Sequence, residues 1–509
     1  MQKIIIDGAT LTPEAVWEIA VNNAEIELSA ESIKKVKKCR DYVEKVIENG
    51  DIVYGLTTGF GKFSTVNIAR ENIAELQLNL IRSHAVSVGD AYSEEITRAI
   101  MLLRIAVLAK GHSGIRLLTL ETLIEMLNKG VHPLIPKRGS VGASGDLSPL
   151  SHLALVLLGE GEAIYKGEKM DGKIAMQKAG ITPVVLEAKE GLALNNGTQV
   201  MAAIGALSLI KAEKLAKQAD IIGAMSIDGL LGTTNAFDPL VHKLRPHAGQ
   251  KDSAANLYYL LESSPLRQSH INCVNVQDAY SLRCTPQVHG AVRDAIAYAR
   301  SVIEIEINSA TDNPLIFPDE DKVISGGNFH GEPMAIALDT LAIAISELAN
   351  ISERRIEQML NPALSRGLNA FLAHRPGLDS GFMIAQLTSA ALVSENKVLA
   401  HPAAVDSIPT SANQEDHVSM GSVSAIKLLQ VVENVENALG IELIIAAMAT
   451  DLREISSSKP LEAAKARLRK EVAPLKEDRV MYKDIENAAR MVADGEILVA
   501  VLDSKAEIV

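Results

Sequence analysis

A glycine-rich loop ahead of an apolar run holds the most unusual combination of residue types in this sequence. The loop reads Gly139-Ser-Val-Gly-Ala-Ser-Gly-Asp146. Asp146 is a good N-cap residue and Pro149 suits a first helical turn, so we predict that a helix begins just after Gly145. Ser144 would then lie at the positive end of the helix dipole.

Three familiar loop chemistries do not fit this segment. A phosphate-binding P-loop needs a Gly-Lys-Ser/Thr run, and none follows at the required spacing. A hydrolase nucleophile elbow needs one residue between the serine and the second glycine, but Ser144 and Gly145 are adjacent. The glycine spacing also differs from that of a dinucleotide-binding fingerprint. A plain glycine-rich turn ahead of a helix remains the simplest alternative.

The three small residues Ala143, Ser144 and Gly145 could instead react with one another. Because Gly145 has no side chain, its backbone nitrogen can approach the carbonyl carbon of Ala143. Ring closure with loss of water, and loss of the Ser144 hydroxyl as a second water, would give a 4-methylidene-imidazol-5-one (MIO) ring. Such a ring is an electrophile that can capture an amine, which none of the twenty side chains provides.

This loop and five further motifs resemble those of the aromatic amino acid ammonia-lyases. The stretch GSVGASGDLSPLSHLALVLLGEGEA is similar to their prosthetic-group segment, whose ring forms autocatalytically from Ala-Ser-Gly. The resemblance runs from about residue 50 to beyond residue 420, and it implies an MIO group with no external cofactor. The other motifs, in the expected order, are Tyr54-Gly-Leu-Thr-Thr-Gly-Phe-Gly61, Asn195-Asn-Gly-Thr-Gln199, Gln277-Asp-Ala-Tyr-Ser-Leu-Arg-Cys-Thr-Pro-Gln287, Thr311-Asp-Asn-Pro314 and Gly326-Gly-Asn-Phe-His330.

Two positions indicate the substrate within this family. His84 resembles the histidine-specific branch, since the phenylalanine enzymes carry an apolar residue there, and Glu415 stands where the phenylalanine and tyrosine enzymes usually carry Gln. A carboxylate can accept a hydrogen bond from an imidazole N–H, whereas burying it against a phenyl ring would be costly. His84 alone would also suit a tyrosine enzyme, so Glu415 decides for L-histidine. The expected reaction is elimination of ammonia to give trans-urocanate, the first step of histidine degradation.

The resemblance also implies roles for individual side chains. Tyr54 would be the base that removes the β-proton, which requires surroundings that favour a phenolate. Arg283 would hold the substrate carboxylate with its planar guanidinium group. His84 and Glu415 would face the imidazole, and Phe329 would pack against the MIO ring. The polar residues expected to orient the substrate and the ring are Tyr280, Asn196, Gln277 and Asn313. Whether the ring attacks the amine or the imidazole is open at this point.

Several of these residues also have an ordinary structural interpretation. A core tyrosine with a satisfied hydroxyl would explain Tyr54, a salt-bridged arginine would explain Arg283, and an Asn-Gly turn would explain Asn196. Phe329 could be a core side chain. We predict no metal site. The histidines expected to be structural are His152, His330 and His417.

Helical patterns predict a mainly α fold that would position these residues. The first part of the chain has short helical runs broken by glycine-rich loops, with brief strand-like runs over Lys3 to Ile6 and Pro183 to Leu186. We expect a mixed prosthetic-group domain over residues 1–197 and a long-helix bundle with C-terminal helices over residues 198–509, of the ammonia-lyase/fumarase-like type. The long helical patterns are Met201 to Ala219, Pro286 to Ile307, Pro333 to Leu360, Gly381 to Ala400 and Val418 to Ala449.

Composition and charge limit which kinds of partner the protein can have. Lys and Arg number 50 against 63 Asp and Glu, for a net charge of −13, and aromatic residues are 3% of the chain, which argues against a nucleic-acid partner. Cys39, Cys273 and Cys284 show no zinc-type spacing and fit reduced thiols in the cytosol. The first residues lack the features of a signal peptide, and the apolar stretch Ile441 to Thr450 is too short to span a bilayer. We therefore expect a cytoplasmic protein with no membrane partner.

The stretch Met334 to Leu348 is apolar on nearly every face, which predicts a helix inside a bundle or at a subunit interface. The resemblance implies a homotetramer whose active sites draw residues from several subunits, and Tyr54 and Ser144 of one site could then belong to different chains. The alternatives are another MIO enzyme, a tyrosine ammonia-lyase or a 2,3-aminomutase, and a catalytically silent helical scaffold. A fumarase-like lyase without the ring should show its own serine-bearing loop, which we do not find.

Overall fold

The protein is described here by a computed structural model that covers residues 3–271 and 276–509, and about 60% of it is helical. This confirms the predicted mainly α fold. The chain divides into two compact units, and each consists of three separate stretches of sequence. The first comprises Met1–Ile210, Arg300–Asp339 and Pro402–Ile426. The second comprises Lys211–Ala299, Thr340–His401 and Lys427–Val509.

This grouping differs from the single boundary that we expected between residues 197 and 198. The chain returns twice to the first unit because the returning segments supply side chains that complete its core. Ile316 packs in one buried cluster with Leu56, and Val418 packs in another with Ala143. Helical patterns along a sequence report where helices lie, but they do not report which distant segments pack together.

The long helices lie close to the positions predicted from the sequence. Each begins and ends within a few residues of its pattern, except that α9 continues ten residues beyond Ala219. The helices of the described chain are α1 (Pro13–Ala20), α2 (Ala30–Asn49), α3 (Ile73–His84), α4 (Glu94–Ala109), α5 (Leu117–Lys129), α6 (Leu147–Leu157), α7 (Gly172–Lys178), α8 (Glu190–Asn195), α9 (Gln199–Gly229), α10 (Pro239–Lys243), α11 (Ala248–Glu262), α12 (Pro265–Gln268), α13 (Tyr280–Arg283), α14 (Thr285–Glu306), α15 (Glu332–Leu360), α16 (Met383–Leu399), α17 (Gly421–Asp451), α18 (Lys459–Arg469), α19 (Tyr482–Asp494) and α20 (Glu496–Asp503).

Short strands are confined to the first unit. β1 (Ile4–Ile6) pairs in parallel with β2 (Ile26–Leu28), as the apolar run Lys3 to Ile6 suggested, whereas Pro183 to Leu186 forms no strand. The remaining pairs are antiparallel: β3 (Val88–Ala91) with β5 (Pro136–Arg138), β6 (Glu162–Tyr165) with both β4 (Val131–Pro133) and β7 (Glu168–Asp171), and β8 (Leu315–Phe317) with β9 (Lys322–Ile324).

Local capping explains where individual helices start and stop. In α2, the Ser29 hydroxyl accepts the backbone N–H of Ser32 at 3.0 Å. The same helix ends at Gly50, whose φ of +74° is the left-handed conformation that glycine adopts at little cost. These ends are therefore determined by residues that are visible in the sequence.

A buried polar network lies in the second unit. Asp220 in α9 accepts hydrogen bonds from the Ser253 hydroxyl at 2.6 Å and from Arg293 at 2.7 Å, and its carboxylate lies 2.8 Å from Nδ1 of His289. Burial raises the pKa of Asp220, but the Arg293 charge and the His289 hydrogen bond outweigh it and hold the value at about 2. The carboxylate is therefore ionised at neutral pH and joins three helices.

In the described chain, α15 is long and apolar enough to cross a membrane, but 67% of its most apolar window is buried within the protein. Core helices of water-soluble proteins have the same length and composition. Leu338, Leu341 and Ile345 are fully buried, while Ile336 and Ile343 are each 45% exposed. The helix is thus mostly a core helix, with one apolar edge left exposed in the single chain.

Candidate active site

A cavity of about 1270 Å³ opens in the first unit. Its lining is supplied by widely separated segments of the chain, which the fold brings together. The residues that we predicted for the site and that line this cavity are Tyr54, His84, Ala143, Ser144, Asn196, Asn313, Phe329 and Glu415. Tyr54 and Ser144 therefore line the same cavity within one chain.

Backbone geometry restricts the Ala-Ser-Gly loop to glycine at two positions. Gly142 and Gly145 have φ values of +71° and +74°. A Cβ on Gly145 would lie 2.1 Å from the Gly197 carbonyl oxygen, and one on Gly142 would lie 2.2 Å from the Ser419 hydroxyl oxygen. The loop is thus held in a tight turn that no larger residue could adopt, which suits closure of the ring between residues 143 and 145.

Asp146 begins α6 as predicted, since the helix starts at Leu147, but within the described chain its side chain does not cap that helix. The carboxylate instead accepts the backbone N–H groups of Val200 and Met201 at 2.9 and 3.0 Å, at the start of α9, and the Ser422 hydroxyl at 2.8 Å. Burial raises the pKa of Asp146 to about 6, against the effect of these hydrogen bonds. Asp146 therefore ties the ring-forming loop to two other segments.

Glu415 lies beside the ring-forming serine. The Ser144 hydroxyl donates a hydrogen bond to Oε1 of Glu415 at 2.9 Å, and the Thr410 and Ser411 hydroxyls donate to Oε2 at 2.8 and 2.7 Å. Burial raises the pKa of Glu415, but these hydroxyl donors and nearby His84 outweigh it, and the net pKa lies below its usual value. The cavity therefore contains an ionised carboxylate. Sequence reasoning missed Thr410 and Ser411, because nothing in their loop signals a shared partner.

His84 ends α3 and is half-buried at the cavity wall. Its Nδ1 lies 3.0 Å from the Ser83 hydroxyl oxygen, and that hydroxyl is 3.1 Å from the Leu80 carbonyl oxygen. Burial lowers the pKa of His84, against the opposing effects of a hydrogen bond to the Leu80 carbonyl and of the charge on Glu415. The imidazole is therefore neutral at neutral pH and faces an ionised carboxylate.

Tyr54 lies in the irregular segment between α2 and α3. Its phenol oxygen accepts the backbone N–H of Gly61 at 3.2 Å. The segment is anchored by Leu56, which is buried in a cluster with Val43, Val46 and other apolar side chains. The Gly61 hydrogen bond and the anchoring of Leu56 therefore hold the Tyr54 phenol group at the cavity wall.

Two asparagines complete the polar lining. The side-chain oxygen of Asn196 is buried and has no hydrogen-bond partner among the described residues, which leaves it available to a bound molecule. The side-chain oxygen of Asn313 accepts the backbone N–H of Gly326 at 2.8 Å, and the Asn313 backbone N–H is 2.6 Å from Asp312. Asp312 in turn forms a fully buried ion pair with Lys189 at 2.9 Å. This buried pair holds the Asn313 backbone in place.

The remaining predicted residues lie elsewhere. Gln277, Tyr280 and Arg283 belong to the second unit, and they are not among the described residues that line the cavity. Tyr280 is 71% exposed, and the Arg283 guanidinium carbon lies 4.5 Å from the centre of its ring. The Nε of Arg283 is buried and has no hydrogen-bond partner in the described chain. Cys273, expected to be a reduced thiol, lies outside the described residues.

Two of the histidines expected to be structural lie near a carboxylate. His330, Glu332 and His417 each place one possible metal ligand within 4.8 Å of the other two. However, Nδ1 of His330 accepts the Glu332 backbone N–H at 3.3 Å, and its Nε2 lies 3.4 Å from the His417 carbonyl oxygen. Because both ring nitrogens of His330 are engaged, we place no metal ion here. The third, His152, accepts the Ser87 backbone N–H at 3.1 Å.

The residues of the cavity fit the MIO group that the resemblance implies. Gly145 admits no side chain, and Asn196 offers a buried oxygen with no partner among the described residues. The Ser144 hydroxyl, which ring formation would remove, is directed at a carboxylate in the cavity. Ala143, Ser144 and Gly145 are therefore the residues that would form and hold the group.

Known proteins resemble this chain over nearly its whole length. The sequence matches the aromatic amino acid lyase family over residues 11–470. A relative from Alkaliphilus oremlandii (strain OhILAs), named histidine ammonia-lyase, is 56% identical over 502 residues, or 98% of this chain and 99% of the relative. Among solved structures, histidine ammonia-lyase from Trypanosoma cruzi is 46% identical with a TM-score of 0.92, over 99% of this chain and 96% of that one.

A tyrosine aminomutase from Streptomyces globisporus is 39% identical with a TM-score of 0.94 and covers 100% of both chains. The fold is thus shared by enzymes that are named for different substrates and reactions. The similarity of these proteins to this chain extends over the ring-forming loop and the whole cavity. The family match covers most of the length of the chain. The chain therefore belongs to the aromatic amino acid lyase family.

Proposed function

We propose that this protein is a carbon–nitrogen lyase that eliminates ammonia from L-histidine to give trans-urocanate, the first step of histidine degradation. Relatives named histidine ammonia-lyase that are 51–56% identical over nearly the full chain support this substrate. The observation that carries the proposal is the ionised carboxylate of Glu415, which lies beside both Ser144 and His84. A phenyl ring would leave that charge without a hydrogen-bond donor.

Ala143, Ser144 and Gly145 would form the MIO group, which supplies an electrophile for capture of the substrate. Asn196, whose buried side-chain oxygen has no partner in the described part of the chain, would orient the substrate from one side of the cavity. Phe329 would cover the apolar edge of the group, and Asn313 would hold the polar edge. These roles for the cavity residues are our assignment.

Tyr54 would remove the β-proton of the substrate. The Gly61 backbone N–H donates to its phenol oxygen, so the negative charge of the proton-accepting form is stabilised before the substrate arrives. Position matters as much as basicity, because a general base acts only within hydrogen-bonding reach of the proton that it removes. Tyr54 lines the same cavity as Ser144 and Glu415, which is consistent with such reach.

Arg283 would bind the substrate carboxylate, with Tyr280 and Gln277 beside it, and these three residues would reach the cavity from another subunit of a homotetramer. Two observations support a further subunit. Tyr280 is mostly exposed in the single chain, and α16 presents Ile384, Leu387 and Val398 at 61%, 57% and 72% exposure. An exposed apolar helix face is typical of a subunit interface. The net charge of −13 argues against a nucleic-acid partner, and three cysteines without a zinc-type spacing favour reduced thiols in the cytoplasm.

The test is to mix purified protein with L-histidine and to follow urocanate by its ultraviolet absorbance. We expect urocanate and ammonia in equal amounts. A β-amino acid product would show an aminomutase instead, and turnover of tyrosine in place of histidine would show the other lyase. An intact-mass spectrum should show a polypeptide two water molecules lighter than the translated sequence, and an unaltered mass would contradict ring formation.

A further inference from the structure

We infer that Ser83 and the Leu80 carbonyl hold His84 with its proton on Nδ1. The site then presents two hydrogen-bond acceptors, His84 Nε2 and Glu415, and it binds the substrate imidazole in its doubly protonated form. This inference rests on the proposed function and deepens it. It makes Ser83 a positioning residue that acts through His84, and it names the charge state of the ring that the cavity selects.

The first step is the position of the proton on His84. Its Nδ1 lies 3.0 Å from the Ser83 hydroxyl oxygen. The Ser83 hydroxyl has a single proton, which it donates to the Leu80 carbonyl oxygen at 3.1 Å, because a carbonyl oxygen can only accept. The Ser83 hydroxyl oxygen is therefore left to accept from Nδ1, so Nδ1 carries the proton.

The second step follows from the neutral charge of His84. A neutral imidazole has one N–H and one acceptor nitrogen, so a proton on Nδ1 leaves Nε2 with a lone pair. No hydrogen bond to Nε2 is present within the described part of the chain, and His84 lines the cavity. Nε2 is therefore an acceptor that is available to a molecule in the cavity. Deletion of the Ser83 hydroxyl would remove the acceptor that holds the proton on Nδ1.

The third step concerns Glu415. Its Oε2 is occupied by the hydroxyls of Thr410 and Ser411, while the donor to Oε1 in the described chain is the Ser144 hydroxyl. Ring formation removes that hydroxyl, so Oε1 becomes the second acceptor directed into the cavity. Glu415 and His84 are close enough for the charge of one to affect the pKa of the other. Both residues line the cavity, and in the proposed arrangement each holds one nitrogen of the substrate imidazole.

Two hydrogen-bond acceptors, His84 Nε2 and Glu415 Oε1, require two N–H donors on the bound imidazole ring. A neutral substrate ring has only one N–H, so its second nitrogen would face an acceptor lone pair, which is unfavourable in a half-buried site. The doubly protonated ring satisfies both acceptors and places its positive charge beside the Glu415 carboxylate. It has no ring lone pair for attack on an electrophile, which leaves the α-amine as the reacting group. Its charge also acidifies the neighbouring Cβ–H that Tyr54 would take.

The direct test uses trans-urocanate labelled with 15N at both ring nitrogens, bound to the intact enzyme and observed by solid-state 15N NMR at about pH 8, where an unperturbed imidazole with a pKa of about 6.5 is neutral. We expect both nitrogens to show the shift and coupling of N–H groups. One nitrogen with the shift of an unprotonated ring nitrogen would overturn the inference. In Glu415→Gln, whose amide can donate, we expect one nitrogen to lose its proton.

The role of Ser83 is tested by Ser83→Ala, Ser83→Thr and the control Ser325→Ala, which removes a hydroxyl from another serine of the cavity lining. We expect Ser83→Ala to raise KM for L-histidine about 3- to 10-fold, the loss of one hydrogen bond, with a smaller change in kcat and an unchanged melting temperature. Ser83→Thr keeps the hydroxyl and should restore KM. An unchanged KM in Ser83→Ala, or an equal rise in Ser325→Ala, would overturn the positioning role.

Failure of the inference and failure of the proposed function give different results. If the wild-type protein makes no urocanate from L-histidine and does not bind urocanate, the proposed function is wrong, and the inference is wrong with it. If the protein makes and binds urocanate, but the bound ring keeps one unprotonated nitrogen, only the inference is wrong.

Discussion

Replacement of Glu415 by glutamine removes the charge from the cavity and keeps the size of the side chain. In the structure, the carboxylate accepts three hydroxyl hydrogen bonds and is only half-buried. The amide oxygen of glutamine can still accept from Thr410 and Ser411, so we expect little loss of folding stability. The bound imidazole, in contrast, loses a charge-assisted hydrogen bond.

The expected size of the effect follows from that bond. A hydrogen bond to a charged group contributes about 1.5–3 kcal/mol. Loss of the whole contribution in the transition state would lower kcat/KM for L-histidine about 10- to 150-fold, since 1.4 kcal/mol corresponds to about a factor of ten. The assay is the initial rate of urocanate formation at several histidine concentrations, with the melting temperature measured in parallel.

A matched control is available on the neighbouring residue. Asp416 also borders the cavity but is exposed, and Asp416→Asn changes the net charge by the same amount as Glu415→Gln. We expect it to keep most of the wild-type kcat/KM. If both variants lost activity equally, a general electrostatic effect would explain the loss. If Glu415→Gln lost stability in proportion to activity, Glu415 would be structural, and the substrate assignment would lose its main support.

Four further outcomes are expected. Ser144→Ala should remove nearly all turnover and give the plain translated mass, or the ring proposal is wrong. Tyr54→Phe should keep the cavity and the MIO mass but lower kcat by at least about 100-fold, the usual contribution of a general base; a kcat near the wild-type value would exclude Tyr54 as the base. Asp220 has a pKa of about 2 in the folded protein, against about 3.9 in the unfolded chain. It therefore contributes about 2–3 kcal/mol to the free energy of unfolding above about pH 4, and this contribution is lost as the pH falls towards 2. Urea unfolding at several pH values should show this loss in the wild type and a flatter pH profile in Asp220→Asn. If the proposed homotetramer forms, dilution that dissociates it should abolish activity in step with the loss of the large species on gel filtration, because Arg283 would come from another subunit; a fully active monomer would contradict this.

The sequence predicted the parts of the fold that depend on neighbouring residues. Apolar periodicity located the long helices, since an amphipathic or apolar pattern of sufficient length is itself the reason why a helix forms and is buried. The Ala-Ser-Gly loop was also identified from the sequence, because its three small residues and its resemblance to a family motif are read from consecutive positions. These features are local, and no information from distant segments was needed to identify them.

The sequence alone could not predict relations between distant segments. Asp146 was correctly placed at the start of α6, but its carboxylate binds the start of α9 and Ser422 instead of its own helix. A good capping residue can serve any helix end that packs nearby, and only the tertiary structure shows which one does. The division into two units differed from the expected boundary for the same reason, since the returning segments are joined to the first unit by packing and not by sequence position.

The sequence determined which residue types the site contains, and the tertiary structure determined where in the fold their side chains come together. The motifs named Ser144, His84 and Glu415, but the hydrogen bond that joins Ser144 to Glu415 spans 271 residues of chain. The same folding brings Glu415 near His84, and the charge of each affects the pKa of the other. Charge states depend on distance, burial and hydrogen bonds, and these arise only when the chain folds.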